Sequence, residues 1–333
     1  MSSSNPSTTP SRSLSKLLLT GNPIILDGAL ATHLETLGAD ISTSLWSARL
    51  LLTNPSLIHS THLSYFQSGA QIATTASYQA SIPGLTTHLK CTEPEALSLI
   101  AKSVTLASTA RSEYLSSLPP ALQQQNKDEL LVAGSIGPYG AYLANGSEYT
   151  GAYSSSTSLP SFKAFHRQRI AAVLSAGADC LALETIPSYP ETAALVQLLA
   201  DEFPRAEAWI AFTLKDEECI SDGTALSEVC ALVDKSPQIL AVGVNCLEQG
   251  LALSAVRRLK SLTCKPLVVY PNSGEEWDAA GRVWKGDRKE GERLREQTVE
   301  YWKAGARIVG GCCRMGPEDI RVVAETLREV GKE

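Results

Sequence analysis

The chain lacks any apolar stretch near the roughly 18–20 residues needed to cross a bilayer, and its leucine run at 17–19 is too brief for a signal-peptide core. A membrane partner is therefore not expected. It also lacks any run of five or more Lys or Arg, and 29 basic against 35 acidic residues leave a formal charge of −6. Nothing here resembles a footprint for a phosphate backbone, so no nucleic-acid partner is expected. No Gly-x-Gly-x-x-Gly follows a strand pattern; Gly134-Ser135-Ile136-Gly137 is only superficially similar, and a dinucleotide site has little support.

What is present is apolar material: 44% of the 333 residues are hydrophobic and 19% charged, enough for a large core and no sign of disorder. The first 13 residues, rich in Ser, Thr and Pro with Arg12 and no acid, read as a flexible tail before one domain over 14–333. A cytoplasmic location is expected. There reduced thiols are the norm, so Cys91, Cys180, Cys219, Cys230 and Cys264, each alone in apolar or mixed surroundings, read as small packing residues. The adjacent Cys312 and Cys313 differ. A disulfide between neighbours strains the peptide that joins them, whereas two thiolates can serve one metal.

Short runs rich in Val, Ile and Leu alternate with longer amphipathic stretches, which is the pattern of a parallel sheet covered by helices. The spacing predicts strands at 23–27, 71–75, 130–135, 179–184, 208–214, 240–245, 266–270 and 307–311. Helices are predicted near 55–69, 94–117, 160–176, 190–202, 224–234, 248–261, 288–304 and 317–331. Gly69, Gly177 and Gly305, each followed by Ala at a helix-to-strand turn, fit left-handed helix caps. Eight sequential βα units favour a single (β/α)8 TIM-type barrel over an open sheet.

In such a barrel, reactive residues stand at the carboxyl ends of the strands. Asp27, Thr74, Thr75, Glu184, Asn245, Cys246, Cys312 and Cys313 all fall there, and the long connections 136–159 and 271–287 lie on the same side. Three thiols after the sixth and eighth strands converge on one point. Three protein ligands with an open fourth position is the pattern of catalytic zinc, and an all-sulfur donor set favours zinc over magnesium or calcium.

The segments Leu26-Asp27-Gly28-Ala29, Thr74-Thr75-Ala76-Ser77-Tyr78-Gln79, Gly134 through Ala141, Glu184-Thr185-Ile186-Pro187, Gly243-Val244-Asn245-Cys246 and Gly310-Gly311-Cys312-Cys313 together resemble the homocysteine S-methyltransferase family, over about residues 23–331. The resemblance implies a zinc barrel in which Cys246, Cys312 and Cys313 bind the metal and homocysteine is methylated to methionine. Residues 135–139 and 145–151 resemble the branch that takes the methyl group from S-methylmethionine, although Ala152 stands where many relatives carry a polar or charged residue. S-adenosylmethionine or betaine as donor, and a noncatalytic zinc-binding barrel, are the alternatives.

By the same resemblance Glu184 takes the homocysteine ammonium; a helix-capping carboxylate is its ordinary alternative. Asp27 is expected to orient substrate or zinc ligands, although Asp before Gly is also a common turn residue. Thr74, Thr75 and Ser77 offer hydroxyls to the amino-acid carboxylate, and Asn245 stands beside a ligand. Trp46, Tyr78 and Tyr139 are the aromatics placed to face a sulfonium, though packing would explain each. The five histidines fall on predicted helices or loops away from most strand ends and read as packing or surface residues; transfer from a sulfonium to a thiolate needs no proton. A monomer or a weak homo-oligomer is expected.

Overall fold

Buried runs of Val, Ile, Leu and Ala form β1 (Ile24–Ile25), β2 (Ile72–Thr74), β3 (Leu131–Ile136), β4 (Cys180–Ile186), β5 (Ala208–Phe212), β6 (Ile239–Asn245) and β7 (Leu267–Tyr270). A hairpin of β8 (Glu276–Asp278) and β9 (Val283–Lys285) intervenes before β10 (Ala306–Val309). The structure, a computed structural model, describes residues 12–41, 45–278 and 283–332. All pairings between neighbouring barrel strands are parallel, in the order β1-β10-β7-β6-β5-β4-β3-β2. The ring closes where Leu26 bridges Ile72, with Gln71 N donating to Ile25 O at 2.7 Å and Asp27 N to Ile72 O at 3.0 Å. This is the expected (β/α)8 barrel.

The strands are apolar on both faces because one face fills the barrel and the other meets the helices. Inside lie side chains such as Leu131, Cys180, Trp209 and Val268; outside, Ile210, Val242 and Val269 pack with the helices. Gly69, Gly177 and Gly305 have φ of 99°, 93° and 105°, the left-handed caps that the sequence pattern implies.

The amino-terminal mouth is plugged by the helix Leu14–Leu19, whose Leu14 and Leu17 belong to the interior cluster. Ser13 caps it by accepting from Lys16 N, and Ser15 N donates to Glu207 Oε2 at 2.9 Å. Most of the predicted tail, residues 1–11, lies outside the described residues.

At the opposite mouth, the connection 136–159 carries the helix Tyr139–Leu143 and the turn Ser147–Tyr149, and 271–287 carries the hairpin. A third long connection, between β1 and the helix Pro55–Gln67, holds the short helices Leu30–Thr36 and Leu50–Thr53. Among the described residues no helix is long and apolar enough to cross a membrane.

Candidate metal centre and active site

Cys246 follows the last residue of β6 in the left-handed region, φ 57°, a conformation uncommon for a residue with a Cβ. Its N–H donates to Tyr270 O at 3.1 Å, and Cys312 N donates to Pro271 O at 2.7 Å, so both thiol-bearing turns hang on the end of β7. The glycines before Cys312 are sterically required. A Cβ at Gly310 would stand 2.7 Å from Asp27 O, and one at Gly311 would stand 2.6 Å from the Cβ of Met315. The three Sγ atoms of Cys246, Cys312 and Cys313 all lie within 4.8 Å of one another, with Cys246 and Cys313 at 3.6 Å.

Tetrahedral zinc with bonds of about 2.3 Å spaces its sulfurs about 3.8 Å apart, so the donor set and the separations both fit that ion. Hydrogen bonds from the thiols of Cys246 and Cys312 hold Cys313 well below the ordinary cysteine range. Hydrogen bonds to Cys246 and Cys313, with burial, push Cys312 well above it. A cation bound at this point would hold the three sulfurs as thiolates and displace their protons.

Two buried carboxyls face the same cavity. Asp27 accepts from Thr74 N at 2.7 Å and from Thr74 Oγ1 at 3.0 Å; burial still pushes its pKa well up, with Glu184 adding to the rise. Glu184 is aimed inward by an irregularity between β4 and β5, where the register shifts between Leu183 and Ile186 and Thr185 has φ 60°. Burial raises Glu184 to about 7, opposed by hydrogen bonds from Ser135 Oγ and Tyr270. Tyr270 OH in turn accepts from Trp209 Nε1 at 3.1 Å, linking the barrel interior to the mouth. Two buried carboxyls this close to one another can share a positively charged group.

Asn245 is buried and committed to Thr185: its Oδ1 accepts from Thr185 N at 2.8 Å and its Nδ2 donates to Thr185 Oγ1 at 2.9 Å. Its place is thus to hold the strained end of β4 beside Glu184, while also lining the cavity. Thr74, Thr75 and Tyr78 line it too, Tyr78 sharing a hydrogen bond with Thr185. Ser77 lies behind the wall, bonded to Thr75 Oγ1 at 2.7 Å and donating to Ser135 O at 2.7 Å. Tyr139 packs at 5.0–5.9 Å against Tyr142, Tyr153, Phe162 and Phe165 and is not among the lining residues. The side chain of Trp46 lies outside the described residues.

The strand-end rule alone did not single out Ser135, Thr185, Tyr270 or Tyr149, all of which line the cavity. Ser135 and Tyr270 do stand at strand ends, where that rule would admit them. Tyr149 comes from the long connection after β3 and brings its hydroxyl to 3.4 Å from Cys246 Sγ. The cavity they enclose measures about 140 Å³. This is well below the roughly 300 Å³ at which pockets for drug-sized ligands begin, and suits small amino acids.

A family model described as homocysteine S-methyltransferase matches residues 24–327. The chain belongs to the homocysteine S-methyltransferase family. It is accordingly a methyltransferase. The Escherichia coli (strain K12) homocysteine S-methyltransferase is 47% identical over 320 residues, covering 96% of this chain and 98% of that one. Homocysteine S-methyltransferase 1 of Arabidopsis thaliana is 42% identical over 310 residues, with 92% and 94% coverage. The crystal structure of the homocysteine methyltransferase MmuM from Escherichia coli, metallated form, matches with a TM-score of 0.83 at 46% identity, covering 94% of this chain and 99% of that one. In this homocysteine S-methyltransferase the thiols, the two carboxyls and the cavity share the carboxyl-terminal mouth of the barrel.

Proposed function

We propose that this homocysteine S-methyltransferase is zinc-dependent and moves a methyl group from S-methylmethionine to homocysteine. The observation that carries the reading is the convergence of three thiols and two buried carboxyls on one small cavity. Cys246, Cys312 and Cys313 would hold the zinc. When bound, that ion supplies a Lewis acid that keeps an alkyl thiol, ordinarily protonated at neutral pH, in its nucleophilic thiolate form.

This chain's own residues do the rest. Glu184 and Asp27 take the ammonium of the acceptor, which places its side-chain sulfur toward the cysteines. Thr74 and Thr75 border the same end of the cavity; their hydroxyls donate to Asp27 and Ser77 and would have to turn from these partners to meet the acceptor's carboxylate. Asn245 keeps Thr185, and with it the inward turn of Glu184, in place. In the transfer, the acceptor sulfur attacks the methyl carbon as the donor's sulfur–carbon bond breaks, and the donor leaves as a neutral thioether. No proton moves in that step, so it asks for no histidine base. Most of the barrier falls to alignment of sulfur, methyl carbon and leaving group.

S-methylmethionine is favoured by the resemblance at 134–151 and by the lack of a dinucleotide-type motif for a nucleoside in the sequence. Reduced thiols at the centre suit the cytoplasm. The test is methionine formation from labelled homocysteine with each donor separately. S-methylmethionine should give labelled and unlabelled methionine in equal amounts and a higher specificity constant than S-adenosylmethionine, with essentially none from betaine. A higher constant for S-adenosylmethionine, or a comparable one for betaine, would remove the donor assignment.

A further inference from the structure

Glu191 is a fully buried carboxylate that the chemistry above does not use. It stands in the first turn of the helix Tyr189–Glu202, and its oxygens meet three partners. Oε1 accepts from Tyr139 N at 2.6 Å and faces His166 Nε2 at 2.8 Å; Oε2 accepts from the Tyr153 hydroxyl. Tyr139 and Tyr153 mark the start and the return of the segment that leaves β3 and passes over the mouth. One carboxylate therefore staples both ends.

Between the staples the segment is folded tightly on itself. A Cβ at Gly140 would stand 2.5 Å from Glu148 N and 2.7 Å from Ser147 C, and Thr213 Oγ1 donates to Glu148 O at 3.2 Å. What this segment delivers is Tyr149. Its hydroxyl stands 3.4 Å from Cys246 Sγ and it borders the cavity, yet the residue is 42% exposed, against 2% for Asp27 and 9% for Glu184.

We propose that Tyr149 is the donor-facing wall of the site and that Glu191 is the positioning residue that holds it there. The inference rests on the donor and acceptor reading above. The acceptor's anchors are buried on the ends of β1, β2 and β4, so a donor reaches the acceptor sulfur from the solvent side, where Tyr149 stands. A sulfonium carries no N–H at its reacting centre, and an aromatic ring is the surface that attracts it without a hydrogen bond.

A double-mutant cycle tests the link. KM for S-methylmethionine, KM for homocysteine, zinc content and Tm are measured for the wild type, Glu191→Gln, Tyr149→Ala and the double variant. Each single change should raise the donor KM roughly ten-fold, leave homocysteine KM and zinc content near wild type, and the pair should be no worse than Tyr149→Ala alone. Additive effects overturn the proposal, as does a Glu191→Gln that lowers Tm while the donor KM stays unchanged. Tyr153→Phe, which removes one partner and leaves the carboxylate bonded, applies the same test should Glu191→Gln fail to fold: the donor KM should rise, and not rise further beside Tyr149→Ala. A wild type inactive with S-methylmethionine but active with another donor would sink the donor assignment alone, and the cycle is then read with that donor.

Discussion

At the scale of single residues, the site depends on groups that are uncomfortable without a ligand. Glu184, raised to about 7 by burial, is partly protonated near neutrality, and the ammonium proposed to bind it would supply the charge that ionises it. The sign follows from the shift. As pH falls through about 7 the carboxylate is lost, so the KM for homocysteine should rise below that pH, and Glu184→Gln should have a high KM with a flattened pH dependence. For the ligand-free protein the raised pKa means stability that is fully present below the ordinary Glu value and is lost as pH rises through about 7. Glu184→Gln should therefore not lower Tm at pH 8. A pH-independent KM in the wild type, or a large fall in Tm with KM unchanged, would make Glu184 a structural residue.

At the scale of elements, the strand ends were legible because Val, Ile and Leu runs closed by Asp, Glu, Asn or Cys mark where a buried strand meets a polar mouth. The detail of those ends was not. β4 runs two residues past Glu184 and turns it inward through a left-handed Thr185, a conformation that a β-branched residue gives no reason to expect. The helices Leu30–Thr36 and Leu50–Thr53 escaped because one or two turns offer too little periodicity to read. Tyr149 fell within the resemblance at 145–151 but was not singled out, because a residue brought to the site by a loop carries no strand-end signature. The close packing of β6 on β7 yields a sharp expectation. A Cβ at Gly243 would lie 1.7 Å from Val268 O, so Gly243→Ala should cost about 3 kcal/mol in denaturant unfolding and disturb the strand that leads into Cys246. A neutral substitution there would mean that the two strands are not packed as described.

At the scale of the whole molecule, the barrel separates stability from chemistry. The plug helix closes the amino-terminal mouth with Leu14 and Leu17, while all the thiol and carboxyl groups of the site gather at the other. Deleting residues 1–20 should lower unfolding free energy by about 4 kcal/mol, the order expected for exposing two buried leucines and the surface they cover, with little change in KM for the folded enzyme. A large rise in KM at unchanged stability would place the plug in the catalytic machinery instead. The central claim is that three thiols from β6 and β10 hold one zinc ion and that methyl transfer depends on it. The most direct measurement is the zinc content of the purified protein beside its methionine-forming activity, for the wild type and for Cys246→Ser, Cys312→Ser, Cys313→Ser and the triple variant. One zinc per chain in the wild type, reduced zinc in each single variant and abolished activity in all is the expected result; a triple variant free of metal and fully active would contradict it.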